Sequence, residues 1–339
     1  MRYLVAVAVF AALLGSAVYS FSLIASEEQW PEILRPETAP AAVANAHNMW
    51  RIEPSNWRAQ ITEHTATGDY LNSGMDVCAA SNYLKPDAEG IFLINVTKGV
   101  IKGEDGWFYD PVLLAQCGLK AHGKWLRTND QNYLNVAIQN GRKLLELQND
   151  VGAFPYSYRW WYYVTNQLLQ AGWTSAMAQG QAMSLFVRLY DATKDEAFIA
   201  AGKKALAYML TPTTSGGVMT TLADLDPSLK DYVFFEEIVT QPRDNYILNG
   251  YMFALLGLYD WSQVPAQIKA DQAIAKNFFD RGIVTLERIL PYYDMGGMTA
   301  YDLTHFTFNN ARNLYLSASY HSVHVYQLHA LYTITEARH

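Results

Sequence analysis

The chain has 339 residues, of which 50% are hydrophobic and 14% aromatic, and its formal net charge is -7. This composition supports a sizeable folded core and excludes a wholly disordered chain. A nucleic-acid-binding protein normally carries a concentrated basic face, so the acidic balance argues against nucleic acid as a partner. The length is compatible with one large domain or two ordinary ones.

Residues 1–26 are predicted to be a signal peptide or a membrane anchor. Residues 3–25 contain no charged side chain, and Arg2 precedes them. About 20 apolar residues span a bilayer, whereas the apolar part of a cleaved signal has about 7–15. The length therefore favours an uncleaved anchor with a cytoplasmic N-terminus, although the small residues at 15–17 leave a cleaved signal open. Both alternatives place the rest of the chain outside the cytoplasm, either membrane-anchored or secreted.

Residues 27–108 are predicted to form a linker and a small β region, with a strand at 90–96 and a hairpin at 100–109. Cys78 and Cys117 are too few for a disulfide framework or a zinc site. In an exported domain they can form one disulfide, and two buried thiols are equally compatible with the sequence.

Residues 109–339 have a helical and repetitive pattern. Helical hairpins begin near Leu113, Ala176 and Ile247, and a last helix, predicted from Tyr320 to Glu336, begins a fourth pair. The first helix of each pair is nearly all apolar, whereas the second is amphipathic. Buried inner helices and half-solvated outer helices predict a mainly α fold, an α/α toroid (incomplete α/α barrel) with a small N-terminal β region.

Amide side chains recur near the starts of the three inner helices, at Gln116, Gln179 and Asn249. In a toroid they line one end of the central groove, although a role in helix packing is equally compatible. Long loops connect the hairpins, and loops of this length are more often functional than idle.

The three loops carry different candidate residues. The first holds an aromatic strip at 154–163 that includes Trp161, and such rings stack on sugars or pack on the toroid rim. In the second, Glu236 and Glu237 follow two phenylalanines, which favours a base with a raised pKa or else a solvated acidic turn. The third loop and the start of the last helix are together rich in groups suited to proton chemistry on a polar ligand: Tyr301, His305, Arg312, Asn313, Tyr320, His321.

Several motifs occur together and in order: Ser175-Ala-Met-Ala-Gln-Gly180, Glu236-Glu237, Leu248-Asn249-Gly250, Tyr301-Asp-Leu-Thr-His305 and Tyr320-His321. Over roughly residues 109–336 the chain resembles the C-terminal helical domain of the D-glucuronyl C5-epimerases. These enzymes convert glucuronate to iduronate in heparan-type polysaccharides.

The resemblance implies proton exchange at C5 of a uronate in a polysaccharide, with no redox step and no organic cofactor. By motif position, Glu237 and Tyr320 match an acid/base pair acting on opposite faces of the sugar, and Tyr301 matches a residue near the carboxylate or an alternative acid. The substrate-binding candidates are Asn249, Asn313 and His321, which match substrate-contacting positions, together with Gln179, Trp161, His305 and Arg312.

Two positions depart from the family pattern, since Ile238 replaces a tyrosine and Thr304 replaces an arginine. Arg312 or Arg243 can supply the lost positive charge near an anionic sugar. No metal site is predicted, because a structural zinc site takes four ligands and the histidines at 321 and 324 have no evident further partner.

Two other function classes fit the same fold. A polysaccharide lyase shares the first proton abstraction and then expels the C4 substituent, and a non-catalytic saccharide-binding domain keeps only the groove. The retention of Glu237, Tyr301 and Tyr320 argues against the latter. A hydrolase needs two carboxylates flanking the bond, which the adjacent pair at 236 and 237 does not provide. The sequence also leaves a homodimer open.

Overall fold

A computed structural model describes residues 63–72, 78–96, 106–310 and 313–336 of the chain. The uncharged run at 3–25 and most of the predicted hairpin at 100–109 lie outside these residues. Within the described ranges, no helix is both long enough and apolar enough to cross a membrane.

The described helices form hairpins that follow the predicted pairs. Asp110, Asp130, Ser175 and Asp195 begin the first four helices by accepting hydrogen bonds from backbone N–H groups in the first turn. The bounds are α1 Pro111–Thr128, α2 Gln131–Leu147, α3 Ala176–Thr193, α4 Glu196–Met209, α5 Leu248–Ser262, α6 Lys269–Ile289, α7 Thr304–Thr307 and α8 Ala318–Glu336.

The helices form two layers. In the inner layer α1 packs on α3, α3 on α5 and α5 on α8, while α2, α4 and α6 each pack on the outside of their own partner. Every residue from Leu248 to Leu258 in α5 is buried, whereas α6 buries only one face, which includes Phe279 and Leu286. The predicted mainly α fold, an incomplete α/α toroid, is therefore confirmed.

The two central inner helices touch through glycine. A Cβ atom added to Gly257 of α5 would overlap backbone atoms of Gly180 in α3, and a Cβ on Gly180 would lie 2.7 Å from the Cα of Ala254. The helix axes can approach this closely only because neither residue carries a side chain. This contact sets the spacing at the middle of the inner layer.

Three small antiparallel sheets accompany the helices. Strands β1 (Leu84–Pro86), β2 (Phe92–Asn95) and β3 (Trp107–Phe108) form one sheet ahead of α1. The hairpin of β4 (Trp160–Tyr162) and β5 (Gln167–Leu169) precedes α3, and that of β6 (Met219–Thr221) and β7 (Val233–Phe235) precedes α5. The two hairpins lie in loops that lead into inner helices, so they gather at the end of the toroid where those helices begin.

The opposite end of the inner layer is held by a buried ion cluster. Arg188 of α3 donates to Asp260 of α5 at 2.7 Å, and His64 contacts the other carboxylate oxygen at 2.9 Å. Arg188 also donates to the backbone oxygens of Thr65 and Gly68, so it fastens the segment 63–72 to the helices. The arginine satisfies both its charge and its donors there, as a buried guanidinium must.

The two cysteines form a disulfide between Cys78 and α1 residue Cys117. The alternative of two buried thiols is therefore wrong, because the chain brings both side chains together. The disulfide ties the β region to the first inner helix.

We expect Gly257→Ala to lower the free energy of unfolding by about 3 kcal/mol, because the added methyl group meets backbone that cannot turn aside. Gly118→Ala in α1 is a matched control, since its Cβ meets mainly the flexible end of Leu185. We expect that change to cost less than about 1 kcal/mol, offset in part by the higher helix propensity of alanine. Chemical denaturation of both variants measures the difference, and equal losses would contradict the helix contact described here.

Candidate active site

Glu236 and Glu237 lie directly after β7, and the backbone there is tied to both neighbouring elements. The Glu236 N–H donates to the oxygen of Val218 at 2.8 Å, and the Glu236 oxygen accepts from the N–H of Ala176, the first residue of α3, at 2.9 Å. The Glu236 side chain is fully buried, whereas that of Glu237 is partly exposed. Only the second carboxylate of the pair can therefore meet a ligand.

The Glu237 carboxylate caps helix α5. Ile247 occupies the N-cap position and offers no side-chain hydrogen bond to the first turn. Glu237 accepts instead from the backbone N–H of Gly250 and, at 3.1 Å, from the side-chain amide of Asn249. A Cβ on Gly250 would overlap the Glu237 side chain, so the approach requires glycine. A helix N-terminus stabilises a nearby negative charge, which explains the position of the acid.

The environment of Glu237 makes it a base that titrates near neutrality. Burial raises its pKa to about 7, against the lowering effect of the hydrogen bonds from Tyr301, Asn249 and Gly250 and with a further raising effect from the charge of Asp302. A carboxylate whose pKa lies near the working pH is suited to accept a proton from carbon and to return it.

Tyr301 and Tyr320 lie beside this carboxylate. The Tyr301 hydroxyl donates a long hydrogen bond of 3.4 Å to Glu237, and the Tyr301 and Tyr320 rings are 4.3 Å apart. Tyr301 is 4% exposed, while Tyr320 is partly exposed. Burial raises the pKa of Tyr320 to about 12, with help from the charge of Glu237, and the Tyr301 hydroxyl opposes the shift by hydrogen bonding. Both tyrosines therefore hold their protons at neutral pH.

The tyrosine pair is held in place from two sides. The N–H of Leu248 at the start of α5 donates to the oxygen of Tyr301 at 3.0 Å. The Tyr315 ring packs edge-on against Tyr301 at 5.6 Å. Ile238 and Tyr162 are fully buried in the same apolar cluster. Ile238, in the position of the family tyrosine, therefore contributes packing and brings no polar group to the site.

Thr304 stands where the family pattern has an arginine, and its side chain makes a local hydrogen bond. Its hydroxyl donates to Asp302 at 2.7 Å, and the Tyr162 hydroxyl donates to the other Asp302 oxygen at 2.8 Å. Burial raises the pKa of Asp302 to about 6, although these hydrogen bonds lower it. Arg243, one of the two cations considered as replacements, pairs at the surface with Asp224 at 2.9 Å. Arg312, the other, lies outside the described residues.

His321 and His324 of α8 meet the loop that carries Tyr301. The Thr299 N–H donates to Nδ1 of His321 at 3.2 Å, and the Thr299 hydroxyl lies 2.6 Å from Nδ1 of His324. Burial lowers the pKa of both histidines. The neutral His321 ring must therefore carry its proton on Nε2, where it remains available to donate.

The remaining sequence candidates have different surroundings. Gln116, Gln179 and Asn249 lie near the starts of α1, α3 and α5, which confirms their predicted position. Gln179 is fully buried, however, and its amide bonds the backbone of Gly152, Phe154 and Ala205. Gln179 therefore braces the aromatic loop against α4, and its predicted contact with substrate stays a prediction.

Other predicted substrate contacts stay predictions. Trp161 lies on β4 and is partly exposed. Asn313 accepts from Asn310 at 3.1 Å. Both ring nitrogens of His305 are buried and have no partner among the described residues. Among all the residues that the structure describes, no three His, Cys, Asp or Glu side chains lie close enough together to hold a metal ion.

Several residues that shape the site were not singled out from the sequence. Asp302 is fully buried and lies one residue after Tyr301, and Thr299 links two histidines of α8 to the same loop. Gln327 donates to the backbone oxygen of Asn249 at 2.8 Å, which ties α8 to the start of α5. The Tyr-Asp-Leu motif offered a signal for Asp302, whereas the other two contacts depend on distant elements.

The family described as the D-glucuronyl C5-epimerase C-terminus matches residues 148–339. A D-glucuronyl C5-epimerase of Caenorhabditis elegans is 33% identical over 192 residues, which cover 55% of this chain and 30% of that protein. An uncharacterized protein of Methanocaldococcus jannaschii is 27% identical over 134 residues, covering 40% of this chain and 41% of that protein. The chain thus spans less than half the length of these curated relatives.

Two solved structures are also similar. One is a family 76 glycoside hydrolase from Bacteroides thetaiotaomicron, with 15% identity and a TM-score of 0.42 over 69% of this chain and 45% of that chain. The other is a mutant unsaturated glucuronyl hydrolase from Streptococcus agalactiae, with 14% identity and a TM-score of 0.44 over 65% and 58%. The family match covers more than half of the chain and includes Glu237, Tyr301 and Tyr320. The chain belongs to the D-glucuronyl C5-epimerase C-terminal family.

Proposed function

We propose that this protein epimerises D-glucuronyl residues of a heparosan-type polysaccharide at C5, converting glucuronate to iduronate. The observation that carries the proposal is the grouping of one ionisable carboxylate, Glu237, with two protonated tyrosines, Tyr301 and Tyr320. Epimerisation needs a base on one face of the sugar and an acid on the other. This group offers both without a redox step.

In the first step, the Glu237 carboxylate takes the proton from C5. The C5–H bond breaks, and its electron pair moves into the adjacent carboxylate group of the sugar to give an enolate-type intermediate. The Nε2–H of His321 can donate to the oxygen that gains charge. Arg312, which stays a predicted substrate contact, can supply positive charge at the same place.

In the second step, Tyr320 gives its proton to the opposite face of C5. The O–H bond of Tyr320 breaks and a new C5–H bond forms, so the configuration at C5 is inverted. The phenolate left on Tyr320 then takes a proton from Tyr301, and Tyr301 takes one from protonated Glu237. This short transfer path restores the starting state of all three residues, and the hydrogen bond between Tyr301 and Glu237 supports it. Tyr320 is partly exposed, so its hydroxyl hydrogen exchanges with solvent between turnovers.

We also propose that the catalytic domain works outside the cytoplasm and is membrane-anchored or secreted. The uncharged run at 3–25 and the disulfide between Cys78 and Cys117 support this, because disulfides persist in oxidising compartments. We expect the full-length chain to fractionate with membranes and a chain without residues 1–26 to be soluble. A full-length chain recovered in the soluble cytoplasmic fraction would contradict the anchor.

We expect Glu237→Gln and Tyr320→Phe each to lower the turnover of a glucuronate polymer by about 10²- to 10⁴-fold, because each removes one proton-transfer group. Tyr320→Phe removes one oxygen, so polymer binding and the melting temperature should change little. Tyr292→Phe, at a tyrosine that is 40% exposed, is the control and should keep wild-type turnover. The measurement is deuterium incorporation at C5 in deuterated water, followed by NMR.

The same experiment separates the epimerase from a lyase. A lyase would give an unsaturated uronate that absorbs in the ultraviolet, and the polymer would shorten. Such a product from the wild-type protein, or wild-type turnover in both Glu237→Gln and Tyr320→Phe, would refute the assignment.

The acid limb of the profile of kcat/KM against pH should report the ionisation of Glu237. A base must be ionised to accept a proton, so we expect kcat/KM to fall as the pH drops through about 7, the pKa of Glu237. The amide of Asn249 lowers this pKa by hydrogen bonding, so Asn249→Ala should raise it and move the acid limb of the profile to higher pH. An unchanged limb in Asn249→Ala would show that another group titrates there.

A further inference from the structure

Three side chains beside the catalytic group, those of His324, Thr299 and His321, form a hydrogen-bonded triplet. The Thr299 hydroxyl lies 2.6 Å from Nδ1 of His324 and 3.2 Å from Nδ1 of His321. The backbone N–H of Thr299 also donates to Nδ1 of His321, at 3.2 Å. His324 is fully buried and Thr299 is 3% exposed, whereas His321 is partly exposed. The triplet therefore runs from the core towards a ring that a ligand can reach.

Both histidines of the triplet are uncharged at neutral pH. Burial lowers the pKa of His324 to about 3, and the charge of His321 adds to the shift. Burial also lowers the pKa of His321, against a raising effect from the charge of Asp294. Each ring therefore carries one proton, and the position of that proton follows from the partners of its two nitrogens.

The hydrogen-bond partners fix every proton of the triplet. Nδ1 of His321 accepts from a backbone N–H, so this ring carries its proton on Nε2. Nε2 of His324 is buried and has no partner among the residues that the structure describes. A buried N–H without an acceptor is rarer in proteins than an acceptor without a donor, so His324 carries its proton on Nδ1 and donates it to Thr299. The hydroxyl of Thr299 then donates its own proton to Nδ1 of His321.

Two donors on Nδ1 change what the His321 ring can do. Each N–H or O–H that points at Nδ1 draws electron density from the ring, and hydrogen bonds in a chain strengthen one another. The Nε2–H of His321 therefore becomes a stronger donor, although the ring stays uncharged. Donors that are already in place stabilise a developing oxyanion most effectively, because they need no rearrangement as the charge appears.

The triplet is joined to both tyrosines of the site. Thr299 precedes Tyr301 by two residues, and His321 directly follows Tyr320 on α8. Where the family pattern has an arginine, Thr304 brings no positive charge to meet the sugar carboxylate. A strong neutral donor next to the tyrosines therefore has a larger share in stabilising the negative charge of the intermediate.

We propose that Thr299 is a positioning residue that, with His324 behind it, holds His321 as a strengthened neutral donor to the carboxylate of the sugar. The proposal deepens the proposed function and rests on it, because the enolate-type intermediate is the species in which this carboxylate gains charge. Thr299 and His324 act only through His321 and do not contact the substrate themselves.

Nitrogen NMR of the histidine rings tests the triplet in the absence of substrate. We expect opposite tautomers in the wild-type protein at neutral pH, with the proton on Nε2 in His321 and on Nδ1 in His324. Thr299→Val keeps the shape of the side chain and removes the hydroxyl, so the Nδ1 resonance of His321 should shift as one donor is lost. Thr299→Ser keeps the hydroxyl and should give the wild-type spectrum. A proton on Nδ1 of His321 or on Nε2 of His324, or an unchanged His321 resonance in Thr299→Val, would overturn the triplet.

Turnover of a glucuronate polymer measures what the triplet contributes to the reaction. Removal of a direct oxyanion donor lowers kcat by about 10²- to 10³-fold. Thr299 acts one step away, so we expect Thr299→Val to lower kcat about tenfold and to change KM less than about twofold. Thr299→Ser should restore most of the turnover. Thr285→Val is the matched control and should keep wild-type turnover, because it removes the hydroxyl of another fully buried threonine, which donates to the backbone of α6.

The two measurements separate this proposal from the proposed function. If the wild-type protein incorporates no deuterium at C5, the proposed function fails, while the ring tautomers and their dependence on Thr299 still decide whether the triplet exists. If the wild-type protein turns over the polymer and Thr299→Val keeps the wild-type kcat, the positioning role is overturned and the proposed function stands.

Discussion

The site depends on one interaction, the contact of the Glu237 carboxylate with the N-terminus of α5. A carboxylate removed from water is destabilised unless hydrogen bonds replace the lost solvation. Here the N–H of Gly250, the amide of Asn249 and the hydroxyl of Tyr301 replace it. These donors hold the acid partly exposed in the site, and burial still keeps its pKa at about 7. The contact also explains why position 250 is glycine, since a methyl group there would overlap the acid.

The inner helices show how this arrangement differs from an ordinary helix start. Helices α1 and α3 are capped by Asp110 and Ser175, each one residue before its helix. Helix α5 has Ile247 in that position and receives its cap from an acid ten residues earlier in the chain. A local cap would satisfy the helix but would occupy the donors that position Glu237. The absence of a capping side chain at Ile247 thus leaves the helix N-terminus to the candidate base.

The sequence predicted the fold through its apolar periodicity and the candidate site through its motifs. Apolar periodicity predicted the inner and outer layers, and the inner helix predicted to begin near Ala176 begins at that residue. The last helix, predicted to run from Tyr320 to Glu336, begins two residues earlier, at Ala318, and ends at the predicted residue. The motif resemblance singled out Glu237, Tyr301 and Tyr320, and the structure places these three side chains next to one another. The amide of Gln179 bonds backbone groups of the aromatic loop and of α4, and an amide in a sequence motif does not reveal such partners.

The two departures from the family pattern leave the grouping of Glu237, Tyr301 and Tyr320 in place and change the electrostatics around it. Thr304 and Tyr162 hydrogen-bond Asp302, where the family arginine would bring a positive charge. Without that cation in contact with it, the charge on Asp302 acts on its surroundings and helps to raise the pKa of Glu237. A higher pKa makes Glu237 a stronger base once it is ionised, which favours proton removal from carbon. The loss of the arginine therefore weakens the local attraction for an anionic sugar but strengthens the group proposed to act on it.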